Sequence, residues 1–457
     1  MSNTENGSEI RDRDLLTMPD LLPEEIPDGW QYSTVGSVST NDGDYGSSAS
    51  ARDYHPDLPR YVRITDIQQD GTLDQESRTS ITFEEADGHL LEEGDIVFAR
   101  SGATVGKTYL YDPDDGVCAY AGYVIKYQID SSKADPHYVH YWTKSPLYWR
   151  RVERTLRKGA QPNINASEYR GFELLLPPLP EQRRIADVLD TVDRAIQETD
   201  AVVRKQEQVK TGLLQDLLTR GLNADGRLRD PEREPEVFRE TELGILPREW
   251  TTARFDEVAK LRHGFQFRSY HFSERGYPVV KIKNVAEDGT LDLSEVSLIP
   301  KEKADEFQDV ELFEGDLLMS LTGNIGRVVK VPEVNGRLFQ NYRVGRFSPR
   351  DSQKLSKDFL ELVLSSSLLS EQVRRKSNKT AQANIGKGEF LETHLPIPPL
   401  HEQRKIAKRV QAQTKTIQGE KAYRGKLQSL KTGLMQDLLT GRMRVPEAEA
   451  RVDEVVA

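Results

Sequence analysis

A single cysteine, Cys118, is present in 457 residues. That excludes an internal disulfide framework and any Cys-based zinc cluster. The eight histidines include no H-E-x-x-H pair, so no catalytic metal is expected. No apolar run approaches the length that crosses a bilayer. The opening MSNTENGSEIRDRD is polar and acidic, unlike a secretory signal or a membrane anchor. A soluble, cytoplasmic protein is the expectation. Apolar residues make up 36%, enough for buried cores. The length exceeds what one core usually serves, so two or more domains are expected.

A surplus of base is also lacking. The net charge of −11 speaks against a phosphate-rich partner if it is taken whole. The acid, however, is segregated. Residues 1–30 hold eight acids against Arg11 and Arg13, and 223–249 hold eight acids against five arginines. In 142–161, six bases (Lys144, Arg150, Arg151, Arg154, Arg157, Lys158) face only Glu153.

What the chain does have is itself, written twice. LPPLPEQRRIA (176–186) returns as IPPLHEQRKIA (397–407), and KTGLLQDLLT (210–219) returns as KTGLMQDLLT (431–440), both 221 residues on. GAQPNI (159–164) matches TAQANI (380–385) at the same offset. LLEEGDIVFARSGATVGK (90–107) matches ELFEGDLLMSLTGNIGR (311–327), and YVRITDIQQDGTLD (61–74) matches VVKIKNVAEDGTLD (279–292). Each half is a divergent domain followed by a closely repeated connector.

The repeat decides one motif. SGATVGKT (101–108) is close to a phosphate-cradling loop, but its counterpart TGNIGRVV has Arg327 and Val328 where lysine and the magnesium-binding hydroxyl belong. The first copy carries Ser101 at the first glycine position, and the strand-like TYLYD follows where a helix is required. A tight turn between strands is the better reading, and an NTP-dependent enzyme is the weaker alternative.

The connectors read as long helices. Ile185, Leu189, Val192, Ile196 and Val203, and in the second copy Ile406, Val410, Ile417, Leu427, Leu430, Leu434 and Leu438, largely keep the spacing of a helical seam. Pro177, Pro178 and Pro180 mark the start, and Gly221 and Gly441 mark the ends. About 40 residues at ~1.5 Å each give a rod of roughly 60 Å. Two such helices bury their seams most economically on each other, antiparallel. The polar members of KTGL[LM]QDLLT recur with the apolar ones, which suggests two equivalent docking surfaces: Lys210, Thr211, Leu213, Gln215 and Asp216, and Lys431, Thr432, Leu434, Gln436 and Asp437.

Each domain also carries a basic, helix-like stretch before its connector, YWTKSPLYWRRVERTLRKG (141–159) and LLSEQVRRKSNKTAQ (368–382). Arg151, Arg154 and Lys158, with Arg374, Arg375 and Lys379, suit a phosphate backbone. The amides that follow, Gln161, Asn163, Gln382 and Asn384, can bond either to bases or to local backbone. RHGFQFRSYHF (262–272) interleaves Arg262 and Arg268 with aromatics, a composition suited to a groove-contacting loop. Arg60 and Arg63, Lys281 and Lys283 in the matching runs, and Lys107 and Arg327 at the turns complete the DNA-binding candidates. Short strand-like runs with terminal helices predict an α+β fold with mainly antiparallel sheets.

Taken together, the twice-written P-P-L-x-E-Q-R-x-I-A and K-T-G-L-x-Q-D-L-L-T, the A-Q-x-N-I before each, and the E-G-D…G turns resemble the specificity subunit of type I restriction–modification systems, over about 24–443. The resemblance implies two target-recognition domains, each reading one half of a bipartite asymmetric site in double-stranded DNA. It further implies two antiparallel coiled-coil helices, related by a pseudo-two-fold repeat, that dock two methyltransferase subunits. Restriction/motor subunits would use ATP and Mg2+, and the methyltransferases S-adenosylmethionine. This chain has no N-P-P-[FY] or D-P-P-[FY] motif and no S-adenosylmethionine glycine loop, so no chemistry of its own is expected. The expected organisation is an acidic extension (1–23), a first recognition domain (24–180), a central helix (181–222), an acidic linker (223–243), a second recognition domain (244–401), a distal helix (402–443) and a tail (444–457). A protein-bridging scaffold without DNA contact is the remaining alternative, and it leaves the paired basic stretches unexplained.

Overall fold

The computed structural model describes residues 27–156, 161–286, 288–321, 327–376 and 387–456. The acidic extension, Lys158, Lys379, Gln382 and Asn384 lie outside the described residues. The chain divides into two compact units, residues 1–201 with 422–457, and residues 202–421.

The first unit contains β1 (Gln31–Thr34), β2 (Asp44–Tyr45), β3 (Arg52–Asp53), β4 (Arg60–Val62), β5 (Thr79–Ser80), β6 (Asp95–Ala99), β7 (Thr108–Leu110), β8 (Cys118–Tyr120), β9 (Val124–Gln128) and β10 (Glu173–Leu176). They form sheets in the orders β2-β9-β6-β7 and β3-β5-β4-β8, plus the pair β1-β10. Pairing is antiparallel except for β4 with β8. The strand β6, DIVFA, is apolar on both faces and ties two cores together. Ile96 and Phe98 enter one core, while Val97 and Ala99 enter another, as the two-residue period of a strand requires.

The second unit repeats the plan. It contains β11 (Phe238–Thr241), β12 (Gly244–Pro247), β13 (Thr251–Arg254), β14 (Ala259–His263), β15 (Tyr277–Val280), β16 (Ser297–Ile299), β17 (Glu311–Leu312), β18 (Leu317–Ser320), β19 (Val328–Lys330), β20 (Leu338–Gln340), β21 (Val344–Pro349) and β22 (His394–Ile397). The sheet β14-β21-β18-β19 matches β2-β9-β6-β7, and the parallel pair β15 with β20 matches β4 with β8. Here Leu317 and Met319 face one core and Leu318 another.

Among the helices, α1 (Pro136–Thr143), α2 (Pro146–Thr155) and α3 (Ala166–Arg170) precede the long α4 (Leu179–Thr219). α5 (Phe255–Val258), α6 (Lys357–Leu364), α7 (Ser367–Lys376) and α8 (Lys387–Leu391) precede the long α9 (Leu400–Leu438), and α10 (Val445–Val456) ends the chain. In the first unit Ile185, Leu189 and Val192 of α4 share a core with Leu434 and Leu438 of α9. Asp193 pairs with Lys431 and Asp200 with Arg424 there, so the two segments run antiparallel. In the second unit Leu217 and Leu218 of α4 share a core with Ile406 and Val410 of α9.

Several expected boundaries are corrected. The long helices begin two residues earlier than expected, at Leu179 and Leu400; in the first, Pro180 sits in the opening turn where its missing N–H costs nothing. They end at Thr219 and Leu438, with Gly221 and Gly441 following at φ of 63° and 74°. The acidic linker is not a bare linker: Phe238–Thr241 and Gly244–Pro247 pair as a hairpin. The tail is helical, with Val445, Ala448 and Val452 buried in the first unit's core. The basic stretch 141–159 is broken at Lys144 and Ser145, since Pro146 opens a new helix.

Candidate nucleic-acid interface

Three sequence-predicted features meet in the first unit. β6 and β7 are antiparallel, so 101–107 is a tight turn and Lys107 leads into a strand. This removes the helix a phosphate loop needs. α2 lies on that turn: Tyr148 Oη donates to Gly106 O at 2.8 Å, and a Cβ at Gly106 would meet Val152 at 2.9 Å. The A-Q-P-N-I segment pairs with the other side, with Gly102 N donating to Pro162 O and Ile164 N donating to Arg100 O. Arg151, Arg154, Gln161 and Asn163 are all exposed around this turn. Lys107 is half-buried and donates to Ile67 O at 3.2 Å, so its ammonium is partly used within the fold.

In the second unit, α7 is the counterpart of α2, seated by Leu369 and Val373 with Arg374 and Arg375 exposed. Among the described residues Arg375 keeps a loose pair with Glu371 at 3.7 Å. Arg327 O accepts from Ser320 N, as Lys107 O accepts from Ala99 N. Arg262 and Arg268 are exposed beside Phe265 and Tyr270, which are 40% and 71% exposed.

Three other candidates hold the fold, while Lys283 is paired at the surface. Arg60 is buried and donates to Asp115, Gln75 and the Asp74 carbonyl, so its guanidinium is not available to DNA. Arg63 forks onto the buried Asp66. Lys281 donates to Ser297 and sits over the Phe272 ring at 4.1 Å, and burial pulls its pKa below the ordinary lysine value. Lys283 pairs with Glu295 at 2.9 Å. The E-G-D motif is a turn lock: Asp95 accepts from Glu92 N, and Asp316 from Phe313 N. Burial raises the pKa of the Asp95 carboxyl, which Lys126 faces at 3.4 Å.

The docking motif divides in the same way. Leu434 is core, Leu213 is partly core, and Lys431 is spent on Asp193. Asp216 accepts from Arg220, and Gln436 and Asp437 are half-buried. Lys210 is half-buried, and burial lowers its pKa. Thr211, Gln215 and Thr432 remain exposed.

The E-Q of the repeated connector is structural too. Gln182 is buried, accepting from Asp135 N and donating to Pro177 O. Gln403 accepts from Ser356 N and donates to Lys354 O and Pro398 O. Each therefore fastens the start of a long helix to its own recognition domain.

The family model for the type I restriction modification DNA specificity domain matches residues 27–205 and again 247–429. The chain belongs to that family. It is a type I specificity subunit with two recognition domains, the non-catalytic component of such systems. It is 25% identical over 360 residues to the MjaVIII specificity subunit of Methanocaldococcus jannaschii, covering 78% of this chain and 80% of that one. It is 24% identical over 414 residues to the EcoKI specificity subunit of Escherichia coli K12, covering 85% and 82%. The solved S subunit from M. genitalium aligns with a TM-score of 0.55 at 15% identity, over 92% of this chain and 99% of that one. A chain solved in a study of type I system assembly and conformational transition aligns with a TM-score of 0.53 at 18% identity, over 92% and 100%. Those two likenesses are of fold.

For this specificity subunit, sequence reasoning missed one group of side chains. Arg100 stacks its guanidinium over the Tyr45 ring at 4.8 Å, next to Tyr123, which is 65% exposed. At the matching place of the second domain, Arg343 lies over Tyr342 at 5.4 Å and donates Nε to its hydroxyl at 2.7 Å. The available signal was an arginine ending an otherwise buried strand, where the repeat has Leu321.

Proposed function

We propose that each recognition domain reads one half of a split, asymmetric double-stranded DNA target through a face that in the first domain is built from α2, the turn at 101–107 and the A-Q-P-N-I segment, and in the second includes the basic helix α7. The observation carrying this reading is that the same basic helix and the same four-stranded sheet recur in both units with different side chains, as two readers of different sequences require. Arg151, Arg154, Arg374 and Arg375 engage phosphates, and the exposed amides and aromatics reach bases. The two long helices form a coiled-coil spacer with an internal pseudo-two-fold relation between the halves, supported by the antiparallel pairing within the first unit and the duplicated topology. The spacer fixes the half-site gap much as dimer geometry does elsewhere.

Two methyltransferase subunits dock along the helices. Gly212 and Gly433 support this: both lie inside helices, and a Cβ added at either would find nothing within 4 Å. A mid-helix glycine costs about 1 kcal/mol relative to alanine, so a partner backbone approaching closely gives it a use. S-adenosylmethionine, ATP and Mg2+ belong to the partner subunits, and the assembly works in the cytoplasm. The test is DNA binding by the chain with its methyltransferase across a salt series. Binding with a steep log–log slope that flattens when Arg151 and Arg154 become glutamate supports the reading. A slope unchanged by those substitutions, or no binding at all, counts against it.

A further inference from the structure

We infer that Arg100 reads a guanine in the half-site of the first domain, and that Arg343 performs the same task for the second domain from the opposite side of the same backbone pair. The inference rests on the reading that these domains bind DNA, and it deepens that reading by naming the side chains that choose bases.

Arg100 is held as a pre-set reader would be. Its N–H donates to Tyr123 O at 3.1 Å, and its carbonyl accepts from Ile164 N at 2.9 Å, so its backbone is fixed from both sides. The tyrosine beneath its guanidinium is itself tethered, since Tyr45 Oη accepts from Ala166 N at 3.2 Å. Nε is buried with no acceptor, and among the described residues no carboxylate or carbonyl takes the rest of the fork. This is uncommon for an arginine at the rim of a core. Arg60 and Arg63 in the same domain are both committed to aspartates. A guanidinium that is stacked, oriented and unpaired loses little freedom on meeting a ligand with two acceptors side by side. Guanine O6 and N7 in the major groove are such a pair. The surroundings favour a base over a phosphate: exposed Tyr123, Gln161 and Asn163 lie on the segments bonded to residues 100–102.

The second domain keeps the framework and moves the arginine. Leu321 N donates to Arg343 O at 3.2 Å, repeating the bond from Arg100 to Tyr123. The side chains are exchanged: arginine and tyrosine in the first domain become leucine and arginine in the second. Arg343 again rests on a tyrosine, and Tyr342 N is tied to Phe265 O at 3.0 Å. One backbone frame thus offers its guanidinium from two different positions, which is how two copies of one fold come to select different bases.

The experiment expresses the full chain with its methyltransferase and reads methylated sites by modified-base sequencing, for wild type, Arg100→Gln, Arg100→Lys and Arg343→Gln. Among the described residues Arg100 makes no side-chain hydrogen bond that the fold would lose, so soluble complexes are expected, and co-purification with the methyltransferase checks this. The expected wild-type motif contains a G·C pair in each half. Arg100→Gln should cut preference at one such pair by about 5- to 150-fold, the equivalent of about 1–3 kcal/mol for one bidentate contact. Arg100→Lys should relax the same position, because lysine keeps the charge without the fork. Arg343→Gln should relax a position in the other half only. The inference is overturned by an unchanged motif, by loss of methylation spread evenly over an unchanged motif, by a half-site without a G·C pair, or by both substitutions acting on one half. A wild-type complex that methylates no split motif would sink the proposed function, and the Arg100 assignment with it.

Discussion

Glu181 and Glu402 occupy the same place in the two copies of P-P-L-x-E-Q, and each accepts a hydrogen bond from a tryptophan indole, Trp30 at 3.2 Å and Trp250 at 3.0 Å. The surroundings differ. Glu402 is buried, and it also accepts from Leu222 N at 2.7 Å and from both terminal nitrogens of a buried Arg229. Glu181 is partly open, and its arginine, Arg444, is 57% exposed at 3.3 Å. A repeated motif therefore specifies a joint, and the non-repeated residues around it decide how much that joint stabilises. The hairpin-forming stretch after Gly221 covers one joint, while the start of α10 only borders the other.

Removing each carboxylate tests this difference, and it should give the largest effect. Glu402→Ala takes the close partner from a buried Arg229 and leaves it only the looser pair with exposed Glu249 at 3.5 Å, so a loss of about 3–5 kcal/mol is expected. Glu181→Ala should cost about 1 kcal/mol or less, as an open pair does. Denaturant unfolding of both variants measures the gap, and equal losses would contradict the account.

Gln182 and Gln403 should instead behave alike, since both are buried and both bridge a helix start to backbone groups of a recognition domain. Replacing either with alanine is expected to cost about 1–3 kcal/mol. A neutral result at one site would show that the two joints differ here as well.

The next effect is on binding. Arg151→Glu with Arg154→Glu, and separately Arg374→Glu with Arg375→Glu, should each lower DNA affinity by an order of magnitude or more at low salt. Each lost phosphate contact should reduce the salt slope by about 0.9. Charge reversal that weakens binding through only one of the two helices would break the proposed equivalence of the domains.

The smallest effect concerns His137, which has no counterpart in the second half, where Asp358 stands. His137 faces Asp190 at 3.4 Å, and that hydrogen bond raises its pKa above the ordinary 6.5 despite partial burial. Asp135 and Asp112 act in the same direction. A raised folded pKa means the pair's stabilisation is complete below about pH 6.5 and is lost as pH rises through the folded value. His137→Gln should remove that slope from a melting-temperature profile while shifting stability by less than about 1 kcal/mol. An unchanged profile would remove the histidine from the comparison.

The connectors, the repeat and the turn at 101–107 are legible in the sequence because their signals are local: a seam spacing, a proline before a helix, a strand after Lys107. The organisation into two recognition domains is legible for the same reason. What escapes is the direction in which basic side chains point. Arg60 and Arg151 look alike in sequence, yet Arg60 is neutralised by Asp115, 55 residues away, and Arg151 is exposed. Such pairings arise only when the sheets assemble. Leu434 reads as a docking residue because its motif carries core and surface positions three and four residues apart on one helix. Arg100 escapes because a lone arginine closing an apolar strand has no pattern of its own until Tyr45 comes to lie beneath it.

The central claim, two domains that each read half of one target, is tested most directly by exchanging residues 27–176 for the corresponding domain of another type I specificity subunit. The methylated motif of the hybrid complex is then sequenced. The account predicts a motif in which one half is new and the other is retained. A motif altered in both halves, or in neither, would contradict it.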